Sequence, residues 1–258
     1  MAVVAAIAVL PFVNMSGDRE NEYFSDGVTE ELLDHLAKLA GLKVAARTSS
    51  FAFKGRDEPV PEIARQLGVE VVLEGSVRKV GDRVRITGQL IDGETGFHLW
   101  SETYDRELTN VFAIQDEIAS AIATQLELTL DGEDDATSAA RPTVNIDAHD
   151  LYLLARHRFH RRGAAALAEA ERLFRDAIEA DPDYAQAYAG LAMTHAVLPL
   201  FDAVAWPVAR SVAEGKAAAE KGLALDPTLG DAHAALGQIA QNFEWDWAAA
   251  ERHYRHAV

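Results

Sequence analysis

Two pairs of histidines stand at a spacing that could hold a metal ion. His157 and His160 are three residues apart, as are His253 and His256, so each pair would lie on one face of a helix. Arginines crowd the first pair, and no carboxylate completes either set of ligands at a recognisable spacing. We therefore interpret both pairs as polar helix surface, and the sequence predicts neither a metal site nor a cofactor.

A second group of polar residues could bind a small anion or a nucleotide. Asp26 and Gly27 precede a predicted helix, where a capping residue leaves backbone N–H groups directed at a ligand. Arg47 and Ser49 follow a predicted strand, and open α/β sheets bind ligands beyond the ends of their strands. These four residues form a possible ligand site, although Asp26 could simply cap the helix and Arg47 could pair with a surface acid.

Motifs of established catalytic chemistry are missing from the sequence. No Gly-x-Ser-x-Gly turn frames a nucleophilic serine, and the stretch EGSVRKVG lacks the Gly-Lys-Ser/Thr of a phosphate-binding loop. The chain contains no cysteine, which excludes thiol catalysis, disulfides and cysteine-based zinc sites. Carboxylates at helical spacing could do acid–base work but are more simply explained as solvated helix faces. The sequence therefore predicts that the chain is not an enzyme.

The composition limits the partners and the location of the chain. The formal net charge of -17 is spread over both halves, and HRFHRRG is the one dense basic run, so direct binding to nucleic acid is not expected. The apolar run that ends at Pro11 is far shorter than the roughly 20 residues of a membrane-spanning helix, and no basic segment precedes it as in a signal peptide. We expect a cytoplasmic chain without a membrane span.

The first half alternates between strand and helix patterns. A strand is predicted over Val3–Phe12, a helix in GVTEELLDHLAKLAGL, a strand in LKVAART and a short helix in VPEIARQLG. In RVRITGQLI, the apolar residues Val84, Ile86 and Leu90 alternate with polar ones, as is typical of a strand with one buried face. With the turn signals on either side, this pattern predicts a three-stranded antiparallel meander. An amphipathic helix in NVFAIQDEIASAIATQLELTL closes this half.

The second half repeats one helical hairpin. The stretches ADPDYAQAYAGLA and LDPTLGDAHAALG each place an Asp-Pro pair before apolar residues at helical spacing. They resemble the tetratricopeptide repeat, in which small residues let helices approach and proline ends the second helix. Two full repeats and a partial third can be aligned. The interval from Pro182 to Pro227 is 45 residues, against a usual period of about 34, and we expect the excess to lengthen a turn at LPLFDAVAWP.

These patterns predict an α+β chain of two domains. A mixed α/β sheet domain that ends in the antiparallel meander is expected over residues 1–131, and an all-α tetratricopeptide array over residues 147–258. The acidic, turn-prone stretch DGEDDATSAARPT marks a linker over residues 132–146.

The first half also resembles a known bacterial module. IAVLPFVNMSGDRENEYFSDGVTEELLDHLAKLAGLKVAARTSSFAFKG, LGVEVVLEGSVRKVGDRVRITGQLID and GFHLWSETYDRELTNVFAIQDEIA together are similar to the TolB-like amino-terminal (FlgO-like) domain. The resemblance implies an α/β module with no activity of its own, commonly followed by tetratricopeptide repeats. It also implies attachment to a class III adenylate cyclase, a winged-helix transcription regulator or a Ser/Thr protein kinase. Because no such output domain is recognisable here, we expect a fragment of a longer protein.

The sequence as a whole predicts a non-enzymatic regulatory or scaffolding segment. It would bind a protein or peptide partner in the groove of its repeats and modulate an attached signalling domain; a homo-oligomer is left open. The predicted groove residues lie on the first helix of each repeat: His149, Tyr152, Arg156, Phe159, Gln186, Met193, Asp231, Gln238 and Gln241. The alternative is a small-molecule or nucleotide-binding sensor centred on Asp26, Gly27, Arg47 and Ser49 in the first half.

Overall fold

The computed structural model describes residues 5–126, 143 and 145–257. The chain divides into two compact units, Met1–Ala139 and Ala140–Val258. Most of the predicted linker over residues 132–146 lies outside the described residues, as does the start of the strand predicted from Val3. The domain boundaries at residues 131 and 147 therefore stay predictions.

A mixed six-stranded sheet organises the first unit. Its strands are β1 (Ala5–Val9), β2 (Val13–Asn14), β3 (Leu42–Val44), β4 (Val71–Val80), β5 (Arg83–Asp92) and β6 (His98–Glu107). The order is β3-β1-β4-β5-β6, and β2 also pairs with β4. β1 runs parallel to β3 and β4, whereas β4, β5 and β6 are joined as antiparallel hairpins. The predicted meander is therefore confirmed, and the parallel pairs need the longer crossovers that hold the helices.

Strand β5 shows how an alternating sequence selects a buried face. Val84, Ile86 and Leu90 have no exposed surface. On the opposite face, Arg85 bonds to the carboxylate of Asp105 on the neighbouring strand β6. The alternation read from the sequence is thus the alternation of the folded strand.

The α-helices among the described residues of the first unit are α1 (Glu22–Ala37), α2 (Arg47–Phe51), α3 (Val60–Leu67) and α4 (Val111–Gln125). Helices α1 and α4 pack against each other and against the sheet. Helix α3 ends as predicted at Gly68, whose φ of 68° is one that a side chain disfavours. The helix predicted from Gly27 begins instead at Glu22, because the buried ring of Phe24 extends its apolar face toward the N-terminus.

All the regular secondary structure among the described residues of the second unit is helical. Its helices are α5 (Ile146–Arg161), α6 (Ala164–Ala180), α7 (Ala185–Phe201), α8 (Val208–Leu225), α9 (Gly230–Ile239) and α10 (Trp247–His256). A π-helical segment, Ala240–Glu244, continues α9. Short connections make α5–α6, α7–α8 and α9–α10 antiparallel pairs, and α7 joins them by packing on both α6 and α9. Among the residues described, no helix combines the length and the apolar character needed to cross a membrane.

The two Asp-Pro turns of the second unit have the same geometry. Asp181 has φ -143° and ψ 96°, and Asp226 has φ -138° and ψ 100°. Each carboxylate accepts a hydrogen bond from the backbone N–H two residues later, at Asp183 and at Thr228. The repeat visible in the sequence is therefore also a repeat of the structure.

The extra length between the two Asp-Pro turns is only partly explained by a longer turn between α7 and α8. Helix α7 runs to Phe201, and Leu198 and Pro199 on its last turn are buried. The turn before α8 consists of residues 202–207. The prediction of one long turn is wrong for LPLF, because burying Leu198 and Pro199 favours continuing the helix.

Candidate functional site

A cavity of about 290 Å³ opens between the helices of the second unit. Side chains of α5, α6, α7 and α9 form its walls and combine aromatic rings, cations and one carboxylate. The lining residues are Tyr152, Arg156, Phe159, His160, Arg162, Phe174, Ala189, Gly190, Met193, Asp231 and Gln238. A concave site with an apolar wall and a few polar groups is the usual form of a binding site.

The cavity brings together most of the groove residues that the sequence predicts. Six of the nine line it: Tyr152, Arg156, Phe159, Met193, Asp231 and Gln238. That they bind a partner stays a prediction.

Three predicted groove residues lie elsewhere. His149 is wrongly assigned, because it is 1% exposed and cannot reach a partner. Gln186 is half-buried outside the lining. Gln241 accepts a hydrogen bond from the hydroxyl of Tyr254 at 2.9 Å, which ties it to its own helix pair. The spacing of residues along a helix identifies which face they share. It does not show how much of that face the next helix pair covers, so the burial of these positions could not be predicted from the sequence.

The sequence missed the part of the cavity contributed by the end of α5 and by α6. His160 and Arg162 belong to the basic run HRFHRRG, a signal that could have placed them at the site. Phe174 comes from the second helix of a pair, where no groove residue was expected. Its ring fills the space left by Gly190, at which a Cβ atom would lie 2.3 Å from a ring carbon.

Two arginines give the cavity a positive wall. The guanidinium carbon of Arg156 lies 5.7 Å from the ring centre of Tyr152, and that of Arg162 lies 4.7 Å from the ring centre of Phe159. Arg162 holds this place with φ 57°, a left-handed conformation that costs a residue with a side chain about 1 kcal/mol or more. With Asp231 as the one carboxylate of the lining, the cavity favours an acidic ligand that also carries apolar groups.

A separate network of charges joins α6, α7 and α8. Nε2 of His195 lies 3.6 Å from Glu171 and 3.3 Å from Glu214, a set that could hold a metal ion. Arg175 donates to both carboxylates at 2.5 and 2.6 Å, and Arg210 donates to Glu214 at 2.7 Å. Two guanidinium groups thus balance two carboxylates, which leaves no spare negative charge for a cation. Burial lowers the pKa of His195, although both carboxylates oppose the change, so the network contains a neutral histidine.

The predicted anion site of the first unit is not formed as expected. Asp26 and Gly27 lie inside α1, whose N-cap is Asn21, so Asp26 does not cap a helix. Asp26 instead accepts a hydrogen bond from Nζ of Lys54 at 2.5 Å. Burial alone would lower the pKa of Lys54, but its bonds to Asp26 and Glu22 outweigh burial and raise it. The lysine is therefore a charged partner of α1.

Arg47, like Lys54, pairs with a carboxylate of helix α1. It is the first residue of α2, and its guanidinium donates to Glu30 of α1 from Nε at 2.7 Å and from a terminal nitrogen at 2.5 Å. The side chain of Glu30 is 3% exposed, so the expected pairing with a surface acid is also wrong. Ser49 is exposed on α2. Asp26 lies on α1 and Arg47 on α2, and each is engaged by an oppositely charged side chain of this unit.

Comparison with known proteins finds similarity to a family of transcriptional regulators and to a protein named as an adenylate cyclase. Residues 4–121 match the family described as HilA/YgeH-like transcriptional regulator, second domain, which is less than half of the chain. A protein of Rhizobium meliloti (strain 1021), named "Putative adenylate cyclase 3", is 45% identical over 188 residues. The match covers 73% of this chain and 32% of that protein, so the chain spans about a third of its relative.

Two solved structures share weaker likeness with the chain. TolB from Acinetobacter baumannii has a TM-score of 0.35 at 15% identity, over 48% of this chain and 28% of that one. Lipoprotein GNA1162 from Neisseria meningitidis has a TM-score of 0.34 at 21% identity, over 48% of this chain and 98% of that one. Scores this low do not establish a common fold.

These matches contradict the prediction about enzyme activity and support a less specific version of the predicted regulatory role. The prediction that the chain is not an enzyme is contradicted by its 45% identity to a protein named as an adenylate cyclase. A regulatory role is supported by the same match together with the regulator family.

Proposed function

We propose that this chain is the regulatory part of an adenylate cyclase, and that a protein or peptide binds in the cavity between its helix pairs. Binding would change cyclic AMP formation by favouring one of two states of the cyclase. The observation that carries the proposal is the cavity itself, in which aromatic and cationic side chains of the first helix pair meet residues of α7 and α9 from the next two pairs. Because ATP is a cytoplasmic nucleotide, we place the chain in the cytoplasm.

We assign the second unit to the tetratricopeptide class. The support is its succession of antiparallel pairs, its two equivalent Asp-Pro turns and its small residues at helix contacts. Gly190 of α7 faces the ring of Phe174 on α6, and Gly237 of α9 faces the ring of Tyr254 on α10, so a small residue meets an aromatic ring at one contact between pairs and at one contact within a pair. The first unit, over residues 1–131, would be the TolB-like module, and residues 132–146 the linker between the two.

The charge of the cavity defines the class of peptide. Arg156, Arg162 and Asp231 line the same cavity, and this excess of positive charge in a strongly acidic chain attracts the acidic residues of a peptide. Phe159 and Met193 offer an apolar surface beside these cations. We therefore expect a partner segment that places an aromatic or aliphatic side chain among carboxylates.

Peptide binding is tested with fluorescein-labelled peptides of about eight residues that place one phenylalanine among glutamates. Lysine-containing counterparts serve as the reverse-charge series. We expect Arg156→Glu to weaken binding at least about tenfold, a loss of about 1.4 kcal/mol. Arg172→Glu is the matched control: it makes the same charge change on the exposed face of α6, where Arg172 pairs with Asp176. Equal losses in the two variants, or equal binding of both peptide series, would contradict the proposed groove.

The link to a cyclase is tested on the native polypeptide that contains this chain. We expect it to form cyclic AMP from ATP, and we expect deletion of residues 147–258 to change the rate at least about twofold. A polypeptide that forms no cyclic AMP would refute the cyclase link. A rate unaffected by the deletion would refute the regulatory role of the second unit while leaving the link intact.

The alternative function, a nucleotide or small-molecule sensor in the first unit, stays a prediction. No contact among the described residues favours it, because Arg47 and Lys54 already bond to carboxylates of α1.

A further inference from the structure

Gln238 of α9 lines the cavity described above and carries an amide oxygen without a hydrogen-bond donor. Its Oε1 atom is buried, and none of the residues that the structure describes donates a hydrogen bond to it. Asp231, the other α9 residue of the lining, lies about two helical turns earlier on the same face of the helix. Helix α9 therefore contributes two oxygen acceptors to this wall: an exposed carboxylate and an amide oxygen that is shielded from water.

An amide oxygen in this position destabilises the fold of the chain. It gives up its hydrogen bonds to water when the chain folds, and no described residue replaces them. Buried acceptors in folded proteins nearly always have a partner, so an exception needs a physical reason. At Gln238 the exception falls in the wall of the candidate binding cavity, which points to a donor that arrives with the ligand.

A neighbouring glutamine shows which donor suits such an oxygen. Gln241 follows Gln238 by three residues, in the π-helical segment that continues α9. Its Oε1 accepts a hydrogen bond of 2.9 Å from the hydroxyl of Tyr254, and the ring of the same tyrosine faces Gly237. One aromatic side chain thus supplies an apolar contact and a donor at once. A ligand residue of the same chemistry would do this for Gln238.

Gln238 also lies beside an apolar part of the cavity wall. A Cβ atom at Gly215 of α8 would lie 3.0 Å from Cδ1 of Ile239 and 3.2 Å from Cβ of His195, so these positions of α9 and α7 are level with each other. Met193 comes two residues before His195, and Gln238 comes one residue before Ile239. At a rise of about 1.5 Å per residue, the two lining residues lie within one helical turn of the same level. An aromatic ring that packs on Met193 would therefore lie within reach of Gln238.

We propose that Gln238 selects the aromatic residue of the bound peptide by accepting a hydrogen bond from a tyrosine hydroxyl or a tryptophan indole N–H. This selection rests on the proposed binding of an acidic peptide in the cavity, and it defines the aromatic class of that peptide. Both side chains combine an apolar ring with a donor, whereas phenylalanine would leave Oε1 of Gln238 without one. A site that hydrogen-bonds its ligand discriminates against the analogue that lacks the donor.

The test compares two fluorescein-labelled peptides of about eight residues that are identical except for one tyrosine or one phenylalanine among glutamates. We expect the tyrosine peptide to bind the wild-type 258-residue chain at least about fivefold more tightly. Gln238→Met preserves the size of the side chain and removes the acceptor, so the two peptides should bind it within about twofold of each other. Gln186→Met is the matched control, because it makes the same change at a half-buried glutamine outside the lining, and it should retain the tyrosine preference.

Urea unfolding of the chain without peptide provides a second measurement. Gln238→Met should be at least as stable as wild type, because it removes a buried acceptor that has no partner among the described residues; a lower midpoint would assign Gln238 to the fold and overturn the proposal. Equal affinity of wild type for the two peptides would also overturn it, while leaving the binding of acidic peptides intact. So would a tyrosine preference that persists in Gln238→Met, or an equal loss of affinity for both peptides. If wild type binds neither peptide, this selection and the proposed function both fail.

Discussion

Replacing Gly190 with alanine is expected to destabilise the second unit, although alanine is the better helix former. A Cβ atom at Gly190 would lie 2.3 and 2.4 Å from two ring carbons of Phe174. The optimal separation of non-bonded carbon atoms is about 3.5–4.0 Å, so the ring would have to move by more than about 1 Å. Phe174 is 1% exposed and packs at 5.9 Å from the ring of Tyr152, which leaves it little room.

The expected magnitude follows from two opposing terms. Alanine in place of glycine stabilises a helix interior by about 1 kcal/mol. Overpacking a filled core costs about 1–3 kcal/mol, and sometimes more. The overlap at Gly190 is severe and involves a buried ring, so we take the upper end of that range. The net loss in the free energy of unfolding should be about 2 kcal/mol.

Urea unfolding followed by tryptophan fluorescence suits this measurement, because three of the four tryptophans belong to the second unit. Gly222→Ala in α8 is the control, since its nearest neighbours lie at 3.3–3.4 Å and the strain should be smaller. Adding Phe174→Leu to Gly190→Ala should recover part of the loss, because the shorter side chain removes the ring atoms. A Gly190→Ala protein as stable as wild type, or strictly additive losses in the double variant, would refute the reasoning.

Three further predictions concern stability. Arg47→Met should lower the free energy of unfolding by about 3 kcal/mol, because it leaves the buried carboxylate of Glu30 without its guanidinium partner. Chemical denaturation should also show that the double variant Arg47→Met/Glu30→Leu is more stable than the single variant Arg47→Met. The pKa of His195 is lowered from 6.5 in the folded state, so the unfolded chain takes up its proton first as the pH falls and stability drops below pH 6.5. His195→Gln should make the free energy of unfolding less steeply dependent on pH between about 6.5 and 5, and an unchanged slope would contradict the assignment. Asn145 accepts hydrogen bonds from two backbone N–H groups in the first turn of α5, so Asn145→Ala should cost about 1 kcal/mol in thermal unfolding, whereas no change would show that this cap is dispensable.

Local patterns were sufficient for most helices and strands. The alternation in β5, the stop of α3 at Gly68 and the Asp-Pro turns each follow from a few neighbouring residues. Sequence patterns gave wrong predictions where tertiary burial, and not the neighbouring residues, set the role of a residue. Phe24 precedes the helix predicted from Gly27, but its burial extends α1 and moves Asp26 from a cap to a helix interior.

In the candidate sites, too, local patterns predicted some residues and only the packing of different helices identified the others. Offsets along the first helices selected six cavity residues, because they depend only on helical period. Phe174 was missed because it enters the cavity from the partner helix of a pair. The cluster of Glu171, His195 and Glu214 was missed because its residues are distant in sequence and meet only when α6, α7 and α8 pack together.

The sequence by itself determined the mixed strand–helix order of the first unit, the helix pairs of the second and the faces that would be buried. These properties depend on the chemistry of residues within a turn or two of one another. Only the tertiary structure decided that Arg47 would pair with Glu30, that two arginines would neutralise the carboxylates around His195, and that a cavity with a positive wall would open between the pairs. Such pairings depend on the distances between side chains of different elements, and packing alone sets those distances.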